Sequence, residues 1–346
     1  DITRMGEQSP TLAPGRVGST RYLLMQDPPW AGKRDLKRGV AQSQADAATG
    51  RVAGTWSELS ARIKTTYAQL FYLEHSERLT REILDLMVRL EKVAQVRYAG
   101  GLAAQQDVVR AQLEQTAMRS ELIALDTERR QLHSKMNFLL GRLPAEPLAS
   151  PSQIRLLPQP EKLQLTALES RARARNPLLQ ATESEIGAAE QGRTLAYKNR
   201  YPDFTVGLSP IQYGSALREW ELMVEVNIPL QQDSRRAQER EAEAMLAAAR
   251  SRRESTANQV LAELYENAAG LEASRRTLAL NTDSLLPQSQ LTFQSALAGY
   301  ESGKVDFATV LEAQKQVRQA RLNQVKAGLE AQVRLADIER IIGEEL

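Results

Sequence analysis

At 346 residues the chain is long enough for two or three domains, yet 42% hydrophobic residues with only 5% aromatics do not describe a compact core rich in Phe and Trp. Lys and Arg number 45 against 43 Asp and Glu, so the net charge of +2 lacks the basic excess of a nucleic-acid binder. The absence of cysteine removes disulfides, thiolate metal sites and cysteine catalysis, and the two histidines, His75 and His133, leave little for an imidazole metal centre.

No stretch approaches the roughly 18 to 20 uncharged apolar residues of a spanning helix. Asp1 does not open a signal peptide, so the sequence reads as mature, trimmed or incomplete. Residues 1–35 form a first hairpin in this reading, with a loop at Pro10, Pro14, Gly15 and Gly18 and a second strand near Thr20 to Pro29. Residues 36–143 then carry no proline and are rich in Ala, Leu, Glu, Gln and Arg, which predicts a long helical hairpin. A helix from about residue 36 to 97 is roughly 90 Å long at about 1.5 Å per residue. Leu79, Ile83, Leu86, Leu90 and Val93 alternate in coiled-coil steps along it. Gly100 and Gly101 suit the C′ position where such a hairpin reverses.

A proline-dense linker over 144–166 (Pro144, Pro147, Pro151, Pro158, Pro160) separates this half from the next. Residues 167–200 are expected to be a helix leading into a second hairpin at 201–230. There Phe204, Val206 and Leu208 alternate with Thr205, Gly207 and Ser209, and Gln212 to Leu217 supplies the turn. Trp220, Leu222, Val224, Val226 and Ile228 then alternate with Glu219, Glu221, Met223, Glu225 and Asn227, the period of a strand between an apolar and a wet side. Residues 231–346 form the second helical hairpin, with Leu264, Leu271, Leu278 and Leu285 evenly spaced on one seam and Gly303 at the tip. On its returning helix Val310, Val317 and Ala331 mark one register, and Ala313, Ala320 and Ala327 another of small residues that permits close backbone approach.

The halves repeat. Tyr98-Ala-Gly-Gly101 aligns with Tyr300-Glu-Ser-Gly303, and the same offset pairs Val108, Ala111, Gln112 and Gly141 with Val310, Ala313, Gln314 and Gly343. A lone hairpin is marginal in water, and two hairpins cannot close a barrel, so the strands have to pair between subunits. The pattern therefore points to a homo-oligomeric tube, with a shared β-barrel in a membrane continued by a helical cylinder in water. The other reading is a soluble coiled-coil scaffold decorated with hairpins, which detergent dependence separates from the tube.

Arg97-Tyr-Ala-Gly-Gly-Leu-Ala-Ala-Gln-Gln-Asp-Val108 and Tyr300-Glu-Ser-Gly-Lys-Val-Asp-Phe-Ala-Thr-Val-Leu-Glu-Ala313 resemble the two helix-tip motifs of TolC-type outer-membrane efflux proteins. Asn176-Pro177 followed by Tyr201-Pro202-Asp203 is similar to that family's helix-into-strand junction, and Pro28-Pro-Trp-Ala-Gly-Lys-Arg34 to the strand exit of its heavy-metal, CzcC-like branch. The resemblance implies a homotrimer in the outer membrane of a Gram-negative bacterium. Its α-helical tunnel extends into the periplasm, and each subunit gives four strands to a twelve-stranded barrel in contact with outer-membrane lipid. It implies a passive duct that docks on a periplasmic adaptor and, through it, an inner-membrane transporter of the resistance-nodulation-division type. The cargo is then heavy-metal cations or small toxic compounds; drug efflux and type I protein secretion are served by the same architecture. A helix preceding the first hairpin is expected by symmetry with residues 167–198, and an N-terminal segment carrying it is expected to precede Asp1.

The resemblance also assigns a periplasmic lock to Asp107 and Tyr300. The family's arginine partner falls on Val305, which leaves Lys304 as the nearby cation, and the two acidic constriction positions fall on Thr309 and Glu312, with Asp306 one turn earlier. On this assignment Asp107→Ala with Tyr300→Phe raises conductance. Gly100, Gly101 and Gly303 are the turns for adaptor docking, and Trp220, Leu222, Val224 and Val226 are the lipid-facing residues. No cofactor, metal site or catalytic group is expected. His75 and His133 lack a second ligand at useful spacing, the methionines are scattered (Met5, Met25 and Met223 in the strands), and Gly32-Lys33-Arg34 lacks the upstream glycine of a phosphate loop. That tripeptide instead turns strand into helix, with Lys33, Arg34 and Arg38 near membrane level.

Overall fold

The structure is a computed structural model that describes the backbone of residues 2–5 and residues 19–346 in full. The loop expected at Pro10, Pro14, Gly15 and Gly18 lies outside the described residues. In chain order the elements are β1 (Ile2–Met5), β2 (Ser19–Tyr22), β3 (Leu24–Gln26), α1 (Lys33–Ala99), α2 (Gln105–Leu139), α3 (Leu165–Arg175), α4 (Pro177–Lys198), β4 (Asp203–Tyr213), β5 (Ala216–Asn227), α5 (Gln232–Leu280), α6 (Leu286–Glu301) and α7 (Phe307–Ile342). A 3-10 turn at Pro160–Leu163 precedes α3, and a π-turn at Asn281–Leu285 joins α5 to α6. No helix among the described residues is long and apolar enough to cross a membrane.

Two compact units divide the chain. The first holds Asp1–Arg51 and Leu178–Thr256. Its antiparallel sheet runs β1, β2, β4 and β5, with β3 continuing β2 along the same edge of β4. Register aligns Phe204 with Val226, Val206 with Val224, Leu208 with Leu222 and Pro210 with Trp220, so one face is an apolar row, while Thr205–Glu225 and Ser209–Glu221 occupy the other. On that polar face Arg21 pairs with Glu221 at 2.8 Å. The β4–β5 turn is tighter than Gln212 to Leu217: Tyr213 pairs with Ala216, and Gly214 turns the chain at φ 59°. The helices of this unit approach closely through small residues, and a Cβ on Gly50 would lie 3.1 Å from the Ala181 backbone. Charged pairs, Arg250–Glu190 at 2.8 Å and Arg253–Glu183 at 3.2 Å, tie α5 to α4.

The second unit holds Val52–Pro177 and Ala257–Leu346. Leu79, Ile83, Met87, Leu90 and Ala94 of α1 pack with Ala111 and Met118 of α2, Ala296 and Tyr300 of α6, and Phe307, Val310, Leu311 and Ala313 of α7. The expected seam is therefore present, with Leu86 and Val93 at its margin. The linker is held by side chains reaching its backbone: Tyr67 donates to Gln153, Asn137 to Pro144 and Glu146, and Arg275 to Pro158. Arg155 of the linker forks onto Glu339 at 2.8 and 2.9 Å.

Two expectations are corrected here. The helix expected over 167–198 is broken, because Pro177 has no N–H to continue α3 and starts α4 instead. Asn176-Pro177 thus joins two helices, and the junction into the strand is at Tyr201–Asp203. Leu285 is 41% exposed although the even leucine spacing puts it on the seam, because the π-turn inserts a residue there.

Candidate gate at the helix tips

Both tips are built by the same local chemistry. After α1, Leu102 N–H donates to the Arg97 carbonyl and Gly101 N–H to that of Tyr98; after α6, Lys304 N–H donates to Gly299 and Gly303 N–H to Tyr300. These are Schellman caps, and Gly101 (φ 71°) and Gly303 (φ 73°) sit at C′, where the left-handed backbone favours glycine. The expectation for Gly100 is corrected: it is the residue before C′ and has no positive φ.

Tyr300 and Asp107 share a buried pocket, 3% and 9% exposed. The Tyr300 ring lies 5.3 Å from Phe307, and its hydroxyl meets no partner at full hydrogen-bond geometry, although the Arg97 guanidinium stands close enough to interact with it. Asp107 and Tyr300 are thus not hydrogen-bonded to each other. The cation over Tyr300 is Arg97, not Lys304: its guanidinium lies 4.8 Å from the Tyr300 ring centroid. Arg97 Nη1 also donates at 2.8 Å to the Glu301 carbonyl, so one side chain of the first tip grips the second. Lys304 is exposed and contributes its backbone to the cap. Sequence reasoning missed Arg97 because the repeat aligns it with Gly299, which offered no counterpart.

Burial pushes the Asp107 carboxyl above its ordinary pKa; Asp306 adds to the rise, while Arg110 and Arg97 oppose it. Burial likewise raises the Tyr300 phenol, with the Asp107 charge adding and Arg97 opposing. Asp306 is the N-cap of α7, accepting from Thr309 N–H at 3.0 Å and Thr309 Oγ1 at 2.5 Å. Those bonds hold its pKa below the usual value. Asp306 and Thr309 therefore complete each other as a cap, and Glu312, exposed one turn on, is the carboxylate left free of that cap.

At the sheet, Trp220, Leu222, Val224 and Val226 are 64%, 68%, 61% and 45% exposed. Where strand becomes helix, Lys33 turns inward rather than outward. Its Nζ donates at 2.8 Å to Asp203 and at 3.0 Å to the Tyr201 carbonyl, while Trp30 N–H donates to Asp203 at 2.9 Å. Trp30 stacks on Tyr201 at 5.2 Å, fixing the β3–α1 and α4–β4 junctions to one another. Among the described residues no group of three or more His, Asp or Glu is placed to hold a metal ion.

Residues 168–344 match the family described as outer membrane efflux protein, more than half of the chain. The cobalt-zinc-cadmium resistance protein CzcC of Cupriavidus metallidurans is 24% identical over 317 residues, 90% of this chain and 74% of that one. Among solved structures, a membrane protein from Pseudomonas aeruginosa matches with TM-score 0.86 at 20% identity, over 100% of this chain and 80% of that one. The outer membrane protein VceC from Vibrio cholerae matches with TM-score 0.83 at 18% identity, over 100% and 85%. The hairpins, doubled tips and coiled-coil seams are thus those of a known export architecture, and the chain belongs to the outer membrane efflux protein family.

Proposed function

We propose that this outer-membrane efflux protein is the passive exit duct of a tripartite pump, and that its cargo is heavy-metal cations. The observation that carries the duct is the sheet: the β4–β5 hairpin, with a row of exposed apolar side chains and an acidic opposite face, suits a barrel wall between lipid and water. Four strands leave edges that close only against other copies, and a trimer sharing a twelve-stranded barrel satisfies them. A second apolar stripe on α2, with Val109, Leu113 and Ile123 exposed at helical spacing, supplies a helical face for a neighbouring subunit. The periplasmic ends close at rest through Arg97, Tyr300 and Asp107. The tips, turned by Gly101 and Gly303, receive an adaptor protein that links the duct to an energised inner-membrane transporter.

The metal cargo follows the likeness to the cobalt-zinc-cadmium resistance protein. Deleting the gene and measuring growth on cobalt, zinc and cadmium, with detergents and dyes alongside, tests it. Selective metal sensitivity supports the reading; sensitivity to dyes and detergents alone makes the duct a drug exporter.

A further inference from the structure

The buried positions along α5 step by threes and fours through Leu264, Asn267, Leu271 and Ser274 to Asn281. Continued as an α-helix, that rhythm buries Leu285, Gln288, Thr292, Ser295 and Gly299. The structure instead buries Ser289, Ala296 and Tyr300, with Leu286 and Phe293 half-buried, each one residue later. The slip sits in the π-turn Asn281–Leu285, where Leu286 N–H donates across five residues to the Asn281 carbonyl. Pro287 accounts for it. Proline has no N–H for the Asp283 carbonyl, and its ring collides with that carbonyl in an unbroken helix. Gln324 of α7 holds the turn through Thr282 at 2.9 Å. An open groove between α5 and α7 flanks the turn, lined by Ser274, Thr277, Asn281, Asn323, Lys326 and Glu330.

We propose that this π-turn is a register switch for the gate. Tightening it into α-helix turns α6 by one residue, about 100° at 3.6 residues per turn. That exchanges the resting seam for the one containing Leu285 and swings Tyr300 away from Arg97 and Asp107. The two seams are unequal: the resting one carries Leu286, Phe293, Ala296 and Tyr300, whereas the alternative carries one leucine among Gln288, Thr292, Ser295 and Gly299. The tip therefore rests closed, and opening is a rotation of α6 within its coiled coil. This rests on the assignment of the gate to the tips.

The chain has no cysteine, so single substitutions report cleanly on thiol accessibility in the membrane-embedded full chain. At rest Gln288→Cys and Ser295→Cys label with maleimide, and Ser289→Cys and Ala296→Cys are protected. In a Pro287→Ala background the labelling exchanges: it rises several-fold at 289 and 296, falls at 288 and 295, and single-channel conductance rises. Deleting Ser284 in that same Pro287→Ala background removes both the clash and the inserted residue, which keeps the resting seam while abolishing the slack. Labelling then stays as at rest, and adding Arg97→Ala no longer opens the duct. An unchanged labelling pattern in Pro287→Ala overturns the switch, as does full opening of the Ser284 deletion with Arg97→Ala. If Arg97→Ala alone leaves conductance unchanged while labelling exchanges, the gate assignment fails and the register switch stands.

Discussion

The Tyr300 hydroxyl is buried with no partner at full hydrogen-bond geometry, so its weak interaction with Arg97 offsets little of a desolvation cost of about 1–3 kcal/mol. What binds Tyr300 is its ring, between Phe307 and the Arg97 guanidinium. Tyr300→Phe should therefore leave conductance unchanged. Arg97→Ala should raise it, since it removes both the cation over the ring and the bond to the Glu301 carbonyl. Bilayer recordings in which Tyr300→Phe opens the duct and Arg97→Ala does not would reverse this assignment. Asp107 adds a pH dependence. Its folded pKa is raised, so the packed tip is more stable when it is protonated and loses that stability as pH rises through the raised value. Asp306 acts oppositely: its depressed pKa lends stability above the ordinary carboxylate range, lost only as pH falls through the lower value. Acidification from neutrality towards the ordinary carboxylate range, where the raised Asp107 protonates before Asp306, should therefore lower conductance. Asp107→Asn should be closed and nearly flat over that range, and a wild-type duct that opens on mild acidification would refute the sign.

At the level of elements, the barrel strand makes the sharpest claim. Val224 and Glu225 are neighbours on opposite faces of β5, so an arginine at either has the same local chain chemistry and differs only in the face it meets. If the apolar face meets lipid as proposed, an arginine there costs about 2–4 kcal/mol near mid-membrane. Val224→Arg should deplete assembled protein from outer-membrane fractions while Glu225→Arg is tolerated; equal tolerance would remove this strand from the lipid boundary. The same alternation makes the hairpin legible in the amino-acid sequence, because period two leaves no other way to sort Leu222 and Val224 from Glu221 and Glu225. Glycines at C′ are legible for the same reason, since only the left-handed turn needs them. The π-turn is not: four evenly spaced leucines argue for an unbroken seam, and Pro287 marks a disturbance without saying which carbonyl yields. Nor is the Lys33–Asp203 pair, 2.8 Å apart in space and far apart in sequence, because a lysine beside a helix start looks solvated until the opposite strand is placed. Local rules read local geometry; a contact across the repeat needs the fold.

For the assembled molecule the decisive residue is the one the single chain leaves idle. Asp306 is consumed in capping α7 and Thr309 carries no charge, so Glu312 is the exposed carboxylate remaining at this level of the helix. In the proposed trimer three copies of Glu312 would face a common axis, where three like charges around a water-filled pore raise the local cation concentration. Each such charge is weak alone, and its reach is the Debye length, about 10 Å at 0.1 M salt and about 3 Å at 1 M. Glu312→Gln should therefore lower the cation-to-anion permeability ratio and the block by multivalent cations in dilute electrolyte. Both differences from wild type should fade towards 1 M salt. Reversal potentials across a salt gradient measure the first, and titration of a trivalent cation the second. A selectivity change that persists undiminished at 1 M would mean that the carboxylate binds ions directly instead of acting through its field, and no change at either salt would place the constriction elsewhere on the helices.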